Sequence, residues 1–378
     1  MTRGSTVDYN PYTADFYTSD PVSVYRWMRD EAPVYHSERW GWYALTRFED
    51  VRAAAIDADT FRSFEGMDID DTGKEQKAPG SLPDMDNPRH DEIRRIVQPF
   101  FLPRRIAKLQ DGIRLVVRDL IAPWRDRGEV DLAQELAWPM PFDVFFQLVG
   151  LPGRRDENPE QVARRELLEE WTNDLHGRIP GTPHLTPEAK AATAKIQRYY
   201  IDMLEERRRN PQDDLVSRLV NAHINGVPFV DGEITPTSEI SGLMMVLFLG
   251  GVDSTAGLTT SLFKLLAENP DQRALLQRDP SLIPAAIEET LRCSPPLQLT
   301  ARTTARDVTR GRFRHMGFGE GVHGCLGAPL ARLEATTAVQ EALPVLGDYE
   351  LSGPPVFCPS SPNMFVWNNV PVTFPITA

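Results

Sequence analysis

The chain has 378 residues, 41% hydrophobic and 25% charged, which supports a large folded core, as one big domain or two ordinary ones, and excludes a disordered polymer. A formal charge of -13 excludes a nucleic-acid partner held by clustered Lys and Arg. Three cysteines, Cys293, Cys325 and Cys358, make no disulfide framework, and no Cys or His spacing completes a zinc site, so a reducing compartment is expected.

The opening M-T-R-G-S-T-V-D-Y has no apolar signal core or anchor helix, so a cytoplasmic protein is expected. No repeat, low-complexity run or linker marks a boundary, and residues 1–378 read as one mainly helical domain. Residues 21–30 read as helix, 41–46 alternate like a strand, and 48–57 return to helix. Residues 63–85 show little periodicity and read as a long functional loop. A helix is then expected from Asn87 as N-cap, with Pro88 in its first turn. It places His90 and Arg94 on one face, where the pair can grip an anion or form an ordinary solvated surface. Residues 171–190, with D-L-H-G-R-I-P-G-T-P-H, read as a mobile lid.

Residues 240–263 are the most apolar stretch and carry one ionisable group, Asp253. A membrane span is rejected, because a central carboxylate costs about 2.5–3.5 kcal/mol there and no basic cluster flanks the run. A long core helix fits instead. Gly250, Gly251, Asp253, Ser254 and Thr255 interrupt its Leu, Met and Val, which predicts a local bend. Farther on, Glu289 and Arg292 are spaced i, i+3 on one helix.

The segment F-G-E-G-V-H-G-C-L-G, Phe318 to Gly327, offers one cysteine to a ligand. Gly319, Gly321 and Gly324 allow close backbone approach to a flat molecule. Leu330, Leu333 and Ala338 then recur at helical spacing, with Arg332 and Glu334 on other faces, so a helix starts at about Cys325 and favours a thiolate there. An isolated cysteine in such a turn is as a rule buried and structural.

The flanking pattern changes that reading. Phe318, Gly321, His323, Cys325 and Gly327 match F-x-x-G-x-[HR]-x-C-x-G, and the segment resembles the haem-binding loop of the cytochrome P450 family. Four further motifs resemble the family in the proper order. They are His90-x-x-x-Arg94; Gly250-Gly251-x-Asp253-Ser254-Thr255, with serine where threonine is usual; Glu289-x-x-Arg292; and the segment around Arg302. The resemblance implies the P450 fold, mainly α with small β-sheets, and haem b as cofactor.

By that resemblance Cys325 would ligate iron as a thiolate and His90, Arg94, Arg302 and His323 would bind the propionates. Gly251, Phe318 and Gly327 would shape the cofactor site. Asp253, Ser254 and Thr255 would serve catalysis by relaying protons. Glu289 and Arg292 would form a structural pair under the haem, and Val246, Leu249, Leu297, Leu299, Met364 and Phe365 would line the substrate pocket. The family normally carries several dozen residues where this chain has a dozen, an apparent deletion between about Thr309 and Arg312.

The implied activity is insertion of one oxygen atom of O2 into a small hydrophobic or aromatic substrate. No flavin or nicotinamide domain fits in this length, so electrons would come from a separate ferredoxin and NAD(P)H-dependent reductase, with Arg95, Arg104 and Arg105 as docking cations. Two alternatives stay open: a degenerate haem-binding member without monooxygenase activity, and a helical binding protein without haem.

Overall fold

The computed structural model describes residues 9–67, 69, 79–151, 158–175, 185–306, 316–358 and 364–376. Ten of its helices matter below: α1 (Pro21–Glu31), α2 (Phe48–Ile56), α3 (Arg89–Val97), α4 (Gln110–Ile121), α5 (Pro139–Val149), α6 (Pro159–Asp174), α7 (Pro187–Arg209), α8 (Glu239–Glu268), α9 (Ile283–Cys293) and α10 (Ala328–Leu346). Polar side chains start several of them. Asp20 accepts from the Ser23 amide ahead of α1, and Thr186 from the Ala189 amide ahead of α7. The strands are short. Val34–His36 pairs antiparallel with Tyr43–Leu45, Phe61–Arg62 with Thr303–Thr304, and Pro371–Thr373 joins Glu129–Asp131 to Glu350–Leu351. The architecture is mainly α with small β-sheets, as expected.

The apolar run over residues 240–263 becomes the 30-residue α8, which packs against α5, α7, α9 and α10. Leu243, Phe248, Val252, Leu262 and Phe263 are buried along it, and the Phe248 ring meets Phe145 at 5.3 Å and Tyr200 at 5.7 Å. The run is therefore core helix. A second cluster, built on Tyr9, Phe16, Tyr17, Met28 and Phe357, lies under the N-terminal segment.

Several expectations need correction. Gly250 and Gly251 do not interrupt α8, which runs unbroken, and the Ser254 hydroxyl donates to the Gly250 carbonyl at 2.7 Å, one turn back on the same helix. Helix α3 starts at Arg89 with Pro88 at the cap, so Asn87 does not cap it, and the Asp86 carbonyl accepts the His90 amide instead. Of the loop over residues 63–85, the described parts are pinned: the Met67 amide donates to Asp84 and the Ser63 amide to Asp86, both at 2.8 Å. Pro79 and Gly80 lie directly on the first turn of α8, where a Cβ at Gly242 would stand 1.7 Å from the Pro79 carbonyl oxygen. Only glycine permits that approach. In residues 171–190 the ends belong to α6 and α7, and 176–184, the centre of the expected lid, lie outside the described residues. The apparent deletion between Thr309 and Arg312 also lies outside them.

Candidate cofactor site

Cys325 sits between a glycine turn and the start of α10. Gly319 (φ +68°) and Gly321 (φ +74°) take left-handed backbone, Gly321–His323 form one 3-10 turn, and the Cys325 amide donates to the Phe318 carbonyl at 2.8 Å. A Cβ at Gly321 would fall 2.6 Å from the Ala55 carbonyl oxygen, so the turn rests against the end of α2. Arg52 of α2 fixes it there through two bonds to Glu320, of 2.5 and 2.6 Å. From the other side Arg94 of α3 donates to the Gly324 carbonyl at 2.7 Å.

Helix α10 begins at Ala328 with Gly327 as cap, three residues later than expected, yet the amides of Gly327 and Ala328 still point at the sulfur. Cys325 is open to solvent on one side and closely surrounded by protein otherwise. That desolvation raises its thiol pKa, outweighing the two amides and the charges of Arg94 and Arg332. The helix start alone therefore does not make a thiolate, contrary to the sequence-based expectation. A bound cation would, because metal coordination deprotonates a thiol outright.

Beside the loop, two histidines meet edge to face at 4.5 Å, His90 from α3 and His323 from the turn. His90 is 1% exposed; its Nδ1 lies 2.9 Å from Asp91, and its Nε2 has no hydrogen-bond partner among the described residues. Such an orphaned buried nitrogen marks a place for an acceptor from outside the chain. His323 is held neutral, pulled down to about 4 by burial and then by His90 and Arg302, and its Nε2 lies 3.0 Å from the Ser63 hydroxyl. Burial also lowers the pKa of Arg302, against the pull of Asp84 and Asp86. His90, Arg94, Arg302 and His323, scattered over 234 positions of sequence, thus form one basic wall.

Across α8, a Cβ on Gly250 would meet nothing within 4 Å, so the helix borders open space there, while a Cβ on Gly251 would stand 3.6 Å from the Phe145 ring. Asp253 and Ser254 are half-buried on this stretch, whereas Thr255 is buried in the core. Val246 and Leu249 are half-buried on α8, Leu297 bridges Met364 across an antiparallel contact, and Leu299 is half-buried. Phe365 is half-buried among aromatic rings. Its ring packs into the second aromatic cluster, 5.3 Å from Phe357 and 5.5 Å from Trp367, and is occupied there.

The Glu289–Arg292 pair forms, at 2.6 Å, but its side chains are 60% and 58% exposed. It therefore does not sit inside a core under the cofactor. Sequence reasoning missed Ser63, Asp84 and Asp86, whose partners are distant in the chain, and it set Glu334 off the apolar stripe without foreseeing its burial. Glu334 is 1% exposed, and its Oε2 has no hydrogen-bond partner among the described residues. A cleft of about 710 Å³ between α6 and α7, lined by Trp171, Tyr199 and Arg207, touches none of these groups.

No protein-family model matches the chain. Individual proteins do. Cyclomarin C epoxidase CymV of Salinispora arenicola is 33% identical over 91% of this chain and 94% of its own. Cytochrome P450 107B1 of Saccharopolyspora erythraea is 30% identical over 94% of each. The chain belongs to the cytochrome P450 family. Among solved P450 structures, CYP109Q5 from Chondromyces apiculatus superposes with a TM-score of 0.80 at 26% identity, over 98% of this chain and 99% of that one. The P450 alignments named above span 389 and 407 positions, more than the 378 residues of this chain, so the relatives carry residues that it lacks.

The protein is a haem-dependent oxidoreductase of monooxygenase type, as its hydroxylase and epoxidase relatives are named. The residues present fit that cofactor: an accessible sulfur with two amides aimed at it, glycines that leave room beside it, open space over Gly250, and an orphaned His90 nitrogen in a basic wall.

Proposed function

We propose that this P450 is a cytoplasmic, single-domain enzyme that inserts one oxygen atom of O2 into a small hydrophobic or aromatic molecule. The observation that carries the reading is the Cys325 loop, whose sulfur is accessible between the Gly327 and Ala328 amides and two arginines. Cys325 would hold the haem iron, and His90, Arg94, Arg302 and His323 would hold its propionates. Bound there, thiolate-ligated haem supplies oxygen activation.

The chain's own residues do the rest. Ser254 presents a hydroxyl beside the open space at Gly250 and can pass a proton, with Asp253 one residue before it on α8. Serine lacks the methyl that restrains a threonine rotamer, so proton delivery is less well directed and some reducing power is lost as peroxide. Val246, Leu249, Leu297, Leu299 and Met364 would exclude water and hold an apolar substrate. Electrons would come from an acidic ferredoxin with its NAD(P)H-dependent reductase. Arg95, Arg104 and Arg105 are exposed near the end of α3, and Arg105 covers the Phe100 ring at 5.3 Å. Reversing those three charges should slow reduction and flatten its salt dependence; unchanged kinetics would place docking elsewhere.

The deciding experiment is the carbon monoxide difference spectrum of the reduced protein. A strongly red-shifted Soret band, absent in Cys325→Ser, supports thiolate ligation. A band at the position of loose or histidine-bound haem in the native protein overturns it. The exposure of Glu289 and Arg292 favours a second reading, a haem-binding member without monooxygenase activity. Substrate-dependent NAD(P)H consumption with oxygenated product excludes that one.

A further inference from the structure

The two histidines of the basic wall stand on different elements, and a short chain of hydrogen bonds sets one against the other. Ahead of α3 the Asp86 carbonyl accepts the His90 amide at 3.1 Å. The Asp86 side chain accepts the Ser63 amide at 2.8 Å and Nε of Arg62 at 3.0 Å. Ser63 directly follows the strand Phe61–Arg62 and is 1% exposed. Its hydroxyl reaches across 260 positions of sequence to Nε2 of His323, 3.0 Å away, and this is its one hydrogen-bond contact among the described residues. The His323 ring then meets His90 edge to face.

A hydroxyl can donate or accept, and here burial decides. Were Ser63 to accept from Nε2–H, its own proton would be stranded with no acceptor and no water. Ser63 therefore donates to Nε2, and a neutral imidazole that accepts at Nε2 carries its proton on Nδ1. We infer that Ser63 is a positioning residue acting through His323: its hydroxyl fixes the ring and its tautomer, so that Nδ1–H is the donor His323 offers to an anion, while Asp86 keeps Ser63 in register with His90. The identity of the anion, a propionate, rests on the haem reading; the tautomer stands on contacts within the chain. Without the hydroxyl the ring is free to turn and to carry its proton on Nε2, the form that free histidine prefers, and Nδ1 then has nothing to donate.

Nitrogen-15 NMR of the full-length apoprotein with labelled histidine tests this at neutral pH, the His323 ring being assigned among the seven histidines by its loss in His323→Gln. The native ring should show the Nδ1–H pattern. Ser63→Ala should move it to the Nε2–H pattern, and Ser63→Thr, which keeps a hydroxyl, should retain the native one. A native ring protonated on Nε2, or an unchanged tautomer in Ser63→Ala, overturns the inference, and the first of these outcomes needs no variant to fold. Haem-loaded protein gives a second readout, the transfer of haem to excess apomyoglobin. Ser63→Ala should speed release about tenfold, as the loss of one hydrogen bond to a charged group does, and Ser63→Thr much less. In the His323→Gln background Ser63→Ala should add nothing, because the two residues act as a unit; additive effects would make Ser63 a support of the fold alone and overturn its role through the histidine. If the native protein takes up no haem, the haem reading fails while the NMR result still decides the tautomer.

Discussion

Asp143–Arg165 and Glu289–Arg292 are both carboxylate–guanidinium pairs with contacts of 2.5 and 2.6 Å, set in opposite surroundings. The first joins α5 to α6, with side chains 0% and 10% exposed; the second stands on one helix, 60% and 58% exposed. In the sequence their visibility is reversed. Glu289-x-x-Arg292 is a motif, whereas 22 residues separate Asp143 from Arg165 with nothing to announce their meeting. A motif records which residues pair; burial decides what the pairing is worth, because removing one partner strands the other where water cannot replace it.

Four variants would break or sharpen that comparison. The largest effect should come from Arg165→Met, which leaves the Asp143 carboxylate buried beside α6 and should cost about 3–5 kcal/mol in urea unfolding. A loss near zero would mean that water reaches the pair. Gly321→Ala should follow, at about 1–3 kcal/mol, since the position has φ +74° and its Cβ would strike the Ala55 carbonyl oxygen. Its cost should be confined to the loop, visible as faster exchange over residues 316–327.

Glu334→Gln tests a buried carboxyl of the opposite kind, one held protonated by burial well above its ordinary value of 4.5. The unfolded chain releases that proton above pH 4.5 while the folded one keeps it, so the native protein loses stability as pH rises from there toward the folded value. Glutamine removes this dependence. The Tm of Glu334→Gln relative to the native protein should climb between pH 4 and pH 8, and a difference constant over that range would contradict a protonated Glu334. The smallest effect belongs to Arg292→Gln, whose side chain is more than half exposed; its Tm and haem content should match the native protein's. Loss of haem in this variant would restore the pair to the role it has in the family.

Periodicity made α1, α2 and α8 legible to within a few residues, because each buries one stripe or a whole run of apolar side chains, while α4 to α7 went unread. Gly250 and Gly251 stand inside α8 without breaking it. Packing of α8 against four other helices keeps the helix continuous where local propensity would loosen it. Glu334, which spacing sets off the apolar stripe of α10, is buried for a related reason: α10 is covered by α4, α8 and α9.

By itself the sequence determined the class of the fold and singled out the cysteine proposed for iron and the residues proposed to accompany it, since loop glycines, helix periods and motif spacings are properties of neighbouring residues. Only the tertiary structure decided their environments. It closed Cys325 in far enough to raise its thiol, brought His90 against His323, left Glu289 and Arg292 in water, and set Arg332 between Phe318 and Glu288. Each of those outcomes depends on desolvation or on contact between residues distant in the chain, and neither is written in any local stretch of it.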